Sequence, residues 1–325
     1  MGQKRPRTNL DLVNECDNFP YYSDGPEVYK ATLQDYYHFL LEGYETCLGY
    51  VTSTVAAQLP ITQHWTRDDS KRRLIFQPRD DSGAPVQTLE ERNNILAEYL
   101  QDVRERKIFR VLDGWRAELY PVYGPNKELL LNMERSASPL FGVVTYGVHL
   151  TGYVRTDEGM KIWTPRRSLT KQTYPGMMDN TVAGGISTGE RPFECLVREC
   201  EEEASLPAEL VRSAVKACGT LTYFHVRDAR AGGETGLCQP EVQYIYDLEM
   251  PPDVIPSPGD DEAIDFQLLT VQEVQKAMAD GRFKPNCAHL LLEFFIRHGI
   301  LTEENEPEYI EISSRLHRKL EFPTA

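Results

Sequence analysis

Residues 184–206 read GGISTGERPFECLVRECEEEASL, and three glutamates within them, Glu199, Glu202 and Glu203, stand at i, i+3 and i+4. At 3.6 residues per turn this spacing gathers the three carboxylates into an arc of about 100° on a helix. Phe193, Leu196, Val197, Cys200 and Ala204 fill the arc beside it, and Glu194, Arg198 and Glu201 lie on the far side. Such a helix has a core face, a solvent face and a third face crowded with anions. Like charges so close repel one another unless a cation holds them together. A hard divalent ion takes oxygen ligands and bridges carboxylates to phosphate, so it is one candidate. The competing reading is an acidic face that is simply solvated.

The approach to the helix favours the ion. Gly184, Gly185 and Gly189 make a loop whose backbone approaches a ligand closely, and Pro192 suits the first turn, where its missing N–H is not needed. The segment runs Gly184, five residues, Glu190, seven residues, Arg198, Glu199, an apolar position, one residue, Glu202, Glu203, one residue, then a glycine position and an apolar one. In that order and spacing it resembles the Nudix hydrolase signature. Two positions depart from it. Cys200 stands at the apolar position and acts as a small hydrophobe, and Ser205 replaces the glycine. That glycine normally ends the helix in a left-handed conformation. Ser205 is therefore expected either to carry the strain or to leave the stop to Pro207. Neither departure touches a candidate metal ligand.

Composition sets the class. A chain of 325 residues, 41% hydrophobic and 26% charged, is that of an ordinary soluble globular protein with room for two domains. No apolar run has the length of a membrane span, and the N-terminus lacks the apolar core of a secretory signal. Met1-Gly2 begins like a myristoylation site, but Pro6 stands where that motif needs Ser or Thr. A formal charge of -15 argues against a general nucleic-acid binder, which needs a basic stripe. The seven cysteines form no CxxC pair and no cluster with histidine, which points to reduced thiols in the cytoplasm.

Along the chain, residues 1–24 are polar and proline-containing and are expected to form a flexible tail. An α+β N-terminal domain is expected over 25–135. Within it, a helix over the first part of 29–51 is followed by a short strand, a strand lies near Leu74, Ile75 and Phe76, a helix spans 89–108 and a strand 115–123. The second domain is expected over 140–303. Its strands fall at 143–154, 159–164, 221–226, 241–248 and 266–269, and its helices at 207–215, 271–279 and, as the last, 287–299. Residues 304–325 are expected to be a C-terminal tail. Arg166, Arg167 and Lys171 form a basic cluster that reads either as an exposed loop or, collectively, as a diphosphate-binding surface.

The likeness extends beyond the glutamate helix. YPGMMDNTVAGG at 174–185, PEVQY at 240–244, FKPNC at 283–287 and GWRAELY at 114–120 resemble the Nudix proteins related to the N-terminal part of fungal thiamine pyrophosphokinase. The resemblance implies a Nudix α/β/α sandwich with a mixed sheet, preceded by a small α+β domain. It also implies hydrolysis of an organic diphosphate, notably oxidised or damaged thiamine diphosphates, to the monophosphate and phosphate. Magnesium, with manganese as the alternative, is expected on Glu199, Glu202, Glu203 and the Gly184 carbonyl, with Glu241 as a further ligand. Glu262 is a candidate general base, the other reading being a solvated loop acid. Glu190 and Arg198 are expected to brace the loop against the helix, and Trp163, Tyr174 and Phe224 either stack on the substrate ring or belong to the core. The expected partner is a small-molecule organic diphosphate, without nucleic acid or membrane, and a homodimer is compatible with the sequence. Two alternatives stand beside the hydrolase. One is an isopentenyl-diphosphate isomerase-like enzyme, whose acidic cysteine is missing from 174–185; the other is a catalytically silent Nudix-fold binding module.

Overall fold

The computed structural model describes residues 5–325. The first half runs α1 (Asn9–Cys16), α2 (Pro26–Leu33), β1 (Tyr36–Leu41), β2 (Gly49–Thr52), α3 (Ser53–Gln58), β3 (Trp65–Asp68), β4 (Arg73–Phe76), α4 (Leu89–Glu105), β5 (Leu119–Tyr123), β6 (Leu129–Glu134) and α5 (Ser138–Phe141). Then follow β7 (Thr145–Thr156), β8 (Gly159–Arg167), β9 (Val182–Gly185), α6 (Pro192–Ala204), α7 (Ala208–Ala214), β10 (Lys216–Val226) and β11 (Cys238–Glu249). The chain ends with β12 (Ala263–Thr270), α8 (Val271–Ala279), α9 (Pro285–Arg297) and α10 (Tyr309–Arg315).

In the second half the strands lie in the order β10-β11-β7-β8-β12, with β9 also paired to β7. β7 and β11 are parallel and the other pairs antiparallel, so the sheet is mixed, as expected. Side chains alternate across it. Val148, Leu150, Val182 and Leu248 pack with Cys195, Leu196, Val197 and Cys200 of α6 on one face. Tyr153, Ile162, Leu221 and Ile245 pack with Cys287, Ala288 and Leu291 of α9 on the other. Gly147, His149, Tyr223 and Glu241 alternate with residues of the α6 face, so they lie opposite that helix. The expected α/β/α sandwich is present.

The first half forms a four-stranded sheet, β2-β1-β4-β3, and a separate β5-β6 hairpin. α4 begins at a reciprocal cap between Thr88 and Glu91 and buries Leu96, Tyr99, Leu100 and Val103 against Phe39, Trp65 and Phe76. The helix expected over the first part of 29–51 is corrected: α2 stops at Leu33, and Tyr37, Phe39, Leu40 and Leu41 belong to β1. β1 is a central strand between β2 and β4, buried on both faces, so its apolar run is continuous and periodicity alone does not separate it from a helix.

Both expected tails are also corrected. Residues 1–4 of the first lie outside the described residues, but α1 buries Leu12, Val13 and Cys16, and Phe19 stacks on Phe224 with ring centroids 4.1 Å apart. At the other end α10 buries Ile312, and Phe322 packs against Tyr50 and Phe224. α9 is therefore not the last helix. The two ends are joined by a buried ion pair: Arg318 Nη1 donates to Asp17 Oδ1 at 3.1 Å and to the Phe19 carbonyl at 2.6 Å. Asp17 in turn accepts the Phe224 N–H of β10 at 2.9 Å. Polar composition marked these segments as tails; the apolar residues spaced within them are what fix them. At the junction of the two halves α5 is wholly buried and packs with the first-half core, whereas Val144 and Tyr146 pack with the cluster around α6.

Candidate functional site

α6 starts with Pro192 in its first turn and ends at Ser205, which adopts the left-handed conformation at φ 52° and ψ 30°. The serine thus carries the strain itself. The Ser205 N–H donates to the Glu201 carbonyl at 3.2 Å and the Leu206 N–H to that of Cys200 at 3.0 Å, which satisfies the last carbonyls of the helix. At the other end, Arg198 Nε and Nη2 donate to the two Glu190 oxygens at 2.9 and 3.1 Å, tying the glycine loop to the helix. β9 lies against the glutamate face. A Cβ on Gly184 would fall 2.2 Å from the Glu199 carboxyl carbon, so only glycine lets the helix approach this closely.

Glu199 and Glu202 both turn to a single nitrogen, Arg198 Nη1, at 3.0 and 2.8 Å. Glu203 instead accepts the Ala183 N–H of β9 at 3.0 Å, and among the described residues it has no ion-pair partner. Burial pushes the Glu199 carboxyl up to about 7, against the pull of Arg198. Burial and then repulsion from Glu199 raise Glu203 well above the usual carboxylate range. Among the described residues no three His, Cys, Asp or Glu side chains converge as a ready metal cluster. The donors nevertheless suit a hard divalent ion: they are oxygens, they carry excess negative charge, and two of them already converge on a cation.

Next to β9 opens a cavity of ≈ 470 Å³ between the two halves of the chain, lined by Ala183, Gly184 and Gly185 but by none of the three α6 glutamates. Its floor is the sheet face opposite α6, including Gly147, His149, Tyr223, His225, Glu241 and Gln243. Arg110, Arg116 and Arg135 of the first half line it, with Arg167, Lys171, Arg227 and Lys284 of the second, against three carboxylates, Asp113, Glu241 and Glu262. Burial lowers His149 and His225 to about 4, so neither ring adds charge at neutral pH. Arg227 is 6% exposed, donates to the Ala231 and Gly232 carbonyls at 2.7 and 2.9 Å, and has no carboxylate within ion-pair distance among the described residues. Among the described residues, the buried oxygens Ser136 Oγ and Gln243 Oε1, both of cavity-lining residues, also have no partner. Unpaired buried polar groups at a cavity wall mark places where a polar ligand makes up the missing bonds.

The other sequence-derived candidates separate. Glu241 stands apart from the α6 glutamates, on the cavity floor, where it accepts Tyr223 Oη at 2.6 Å and Gln243 Nε2 at 2.5 Å. Glu262 lies in the cavity wall beside Glu203, ion-paired to Lys171 and 3.4 Å from Arg116. Burial raises its pKa, but Lys171 outweighs burial and holds it at about 2, too low for a general base in this pairing. Arg167 is committed to buried Asp179 at 2.5 Å, although it borders the cavity. Arg166 is not among the lining residues; it faces Asp265 at 3.6 Å. Trp163 and Phe224 are core residues, whereas Tyr174 lines the cavity and bonds His225 at 3.1 Å. Sequence reasoning missed Arg135 and Arg227, which sit in no motif of their own, and Lys284, which lay within the FKPNC stretch without a role assigned to it. Arg116 and Tyr120 lay within the GWRAELY stretch without a role assigned to them.

Comparison with known proteins agrees with this geometry. Residues 148–288 match the NUDIX domain, and residues 10–145 match a domain of unknown function, DUF4743. The chain is 33% identical over 97% of its length to the uncharacterized protein YJR142W of Saccharomyces cerevisiae, covering 92% of that protein. It is 34% identical to Nudix hydrolase 20, chloroplastic, and 35% identical to Nudix hydrolase 24, chloroplastic, both of Arabidopsis thaliana, over 72% and 70% of its own length. It spans 60% of each of these plant relatives. Among the described residues no helix is long and apolar enough to cross a membrane. Residues 148–288 thus form a NUDIX domain, and the chain that carries it is similar to Nudix hydrolases.

Proposed function

We propose that the protein cleaves an organic diphosphate held in the cavity, with oxidised or damaged thiamine diphosphates as the favoured substrates, to give the monophosphate and inorganic phosphate. The observation that carries this reading is the charge of the cavity: seven cations face three carboxylates inside a chain of net charge -15. Such a concentration of Arg and Lys attracts a diphosphate. It also disfavours the permanently cationic thiazolium ring of thiamine, and a ring oxidised to a neutral carbonyl form escapes that repulsion. The choice of thiamine among organic groups rests on the family likeness.

Glu199, Glu202, Glu203 and the Gly184 carbonyl are the groups we assign to a divalent ion, magnesium or alternatively manganese. When bound, such an ion neutralises phosphate oxygens and acidifies water. The protein's own part is positional. The Glu190–Arg198 pair keeps the glycine loop against α6. A diphosphate competing for Lys171 would draw that lysine off Glu262, leaving the carboxylate with only the longer contact to Arg116 and better able to take the proton of the attacking water. The water oxygen bonds to one phosphorus as the bridging P–O bond breaks, and the organic monophosphate leaves. The cytoplasm is the proposed location, supported by seven cysteines that are all unpaired.

The test is incubation of the purified protein and magnesium with oxidised thiamine diphosphates, thiamine diphosphate, nucleotide sugars and dinucleotides, scored by phosphate release and product mass. Faster turnover of the oxidised forms supports the assignment. Equal rates across the panel would overturn the thiamine reading while leaving the hydrolase one.

A further inference from the structure

The region that matches only a domain of unknown function, residues 10–145, meets the glutamate helix directly. Its β5-β6 hairpin docks on the loop entering α6. The Thr188 N–H donates to the Leu119 carbonyl at 2.8 Å, Ser187 Oγ to Glu118 at 3.1 Å, and Thr188 Oγ1 to Asn132 at 3.0 Å. Tyr120 of the hairpin presses on β9: a Cβ on Gly185 would fall 1.8 Å from its hydroxyl oxygen. Arg135 follows the hairpin, held 2.8 Å from Glu118 with its guanidinium 5.5 Å from the centre of the Tyr120 ring. A short path thus runs from Arg135 through Tyr120 and Gly185 to Gly184 and Glu199. On the same wall Arg116 stands 3.4 Å from Glu262, and Ser136, 8% exposed, lines the cavity with its hydroxyl unpartnered.

We propose that the N-terminal region is part of the substrate site, and that Arg135 and Arg116 bind the diphosphate from the side opposite the metal-ligand glutamates. The assignment builds on the proposed diphosphate hydrolysis and adds the groups that grip the phosphates. Each arginine now rests on a carboxylate, Glu118 or Glu262. A diphosphate offers each a second acceptor, and a guanidinium fork with five donors serves both at once. Ser136 supplies one further hydrogen bond. The glycines at 184 and 185 leave room for the backbone, the hairpin and the ligand to meet. A Nudix domain without this region would keep its glutamates and lose three of the seven cations that line the cavity.

The test uses the full-length protein and imidodiphosphate, a non-hydrolysable probe, titrated calorimetrically in magnesium. R135A and R116A are each expected to weaken binding at least tenfold and to flatten its dependence on salt concentration. R135K should recover only part of the affinity, because lysine keeps the charge without the fork. R212A, which removes an exposed pairing with Glu194 far from the cavity, serves as the control and should bind like the wild type. Folding is checked by near-UV circular dichroism; should R135A fail it, R135K and R116A decide the outcome. Arginine variants that are folded and bind within twofold of the wild type would overturn the proposal. The hydrolase reading fails separately, if the wild type with magnesium releases no phosphate from any member of the substrate panel.

Discussion

Replacing Glu199 by glutamine should stabilise the metal-free protein while abolishing its activity. The Glu199 side chain is 13% exposed, and burial raises its carboxyl from 4.5 to about 7. A carboxyl raised in the folded state binds its proton more tightly there than in the unfolded chain. The associated stability is therefore fully present below about pH 4.5 and is lost as the pH rises through about 7. At 1.36 kcal/mol per pKa unit, the loss is about 3 kcal/mol. With an unfolding entropy of ~2.1 cal/mol/K per residue, that corresponds to about 4 °C for a chain of 325 residues unfolding as one unit. E199Q has no such group. Melting curves of chelator-treated wild type and variant should coincide near pH 4.5 and diverge by that amount at pH 8, with E199Q the more stable. Magnesium should restore the wild type at pH 8 and leave the variant unchanged, and kcat/KM of the variant should fall at least ~100-fold. Parallel melting temperatures of the two proteins from pH 4.5 to 8 would refute the claim that Glu199 is held at an electrostatic disadvantage for want of a cation.

Two further predictions concern the frame. S205G should raise stability by up to ~1 kcal/mol and leave kcat/KM unchanged, since glycine relieves the left-handed strain but loses more entropy on folding; a drop in stability on urea unfolding would mean that the serine hydroxyl does more than cap α6. R318M removes one partner of a buried pair and leaves Asp17 with the more distant Arg315, at 3.4 Å, as its one cation among the described residues. Urea unfolding at pH 7 should show a loss of about 3–5 kcal/mol, and a change below 1 kcal/mol would show that the two ends of the chain are not energetically coupled to β10.

The glutamate helix was legible because everything about it is local. The spacing of Glu199, Glu202 and Glu203, the apolar stripe beside them, Pro192 at the start and Pro207 beyond the end are all properties of a short segment. The helix at α8 was legible for the same reason, and five of the six strands of the second sheet were expected from their apolar runs between turn residues; β9 was not. β1 was misread because a central strand buried on both faces has no alternation to read. The tails were misread because their anchors are pairwise: Asp17 and Arg318 are 301 residues apart, and neither signals burial until the other is beside it.

The candidate site divides along the same line. By itself the sequence determined the Nudix-like signature, the sandwich, the oxygen-rich face of α6 and the glycines packed against it. Only the tertiary structure decided which cations face the cavity. It committed Arg167 to Asp179, sent Arg166 out toward Asp265, paired Lys171 with Glu262, brought in Arg135 and Arg227 from segments without a motif, and gave a place to Arg116 of the GWRAELY stretch. The physical reason is range. Helix geometry and strand alternation act between residues a few positions apart, so composition and spacing reveal them. The charge of a cavity is set by distances through space between groups far apart in the chain, and by which of them burial leaves without a partner.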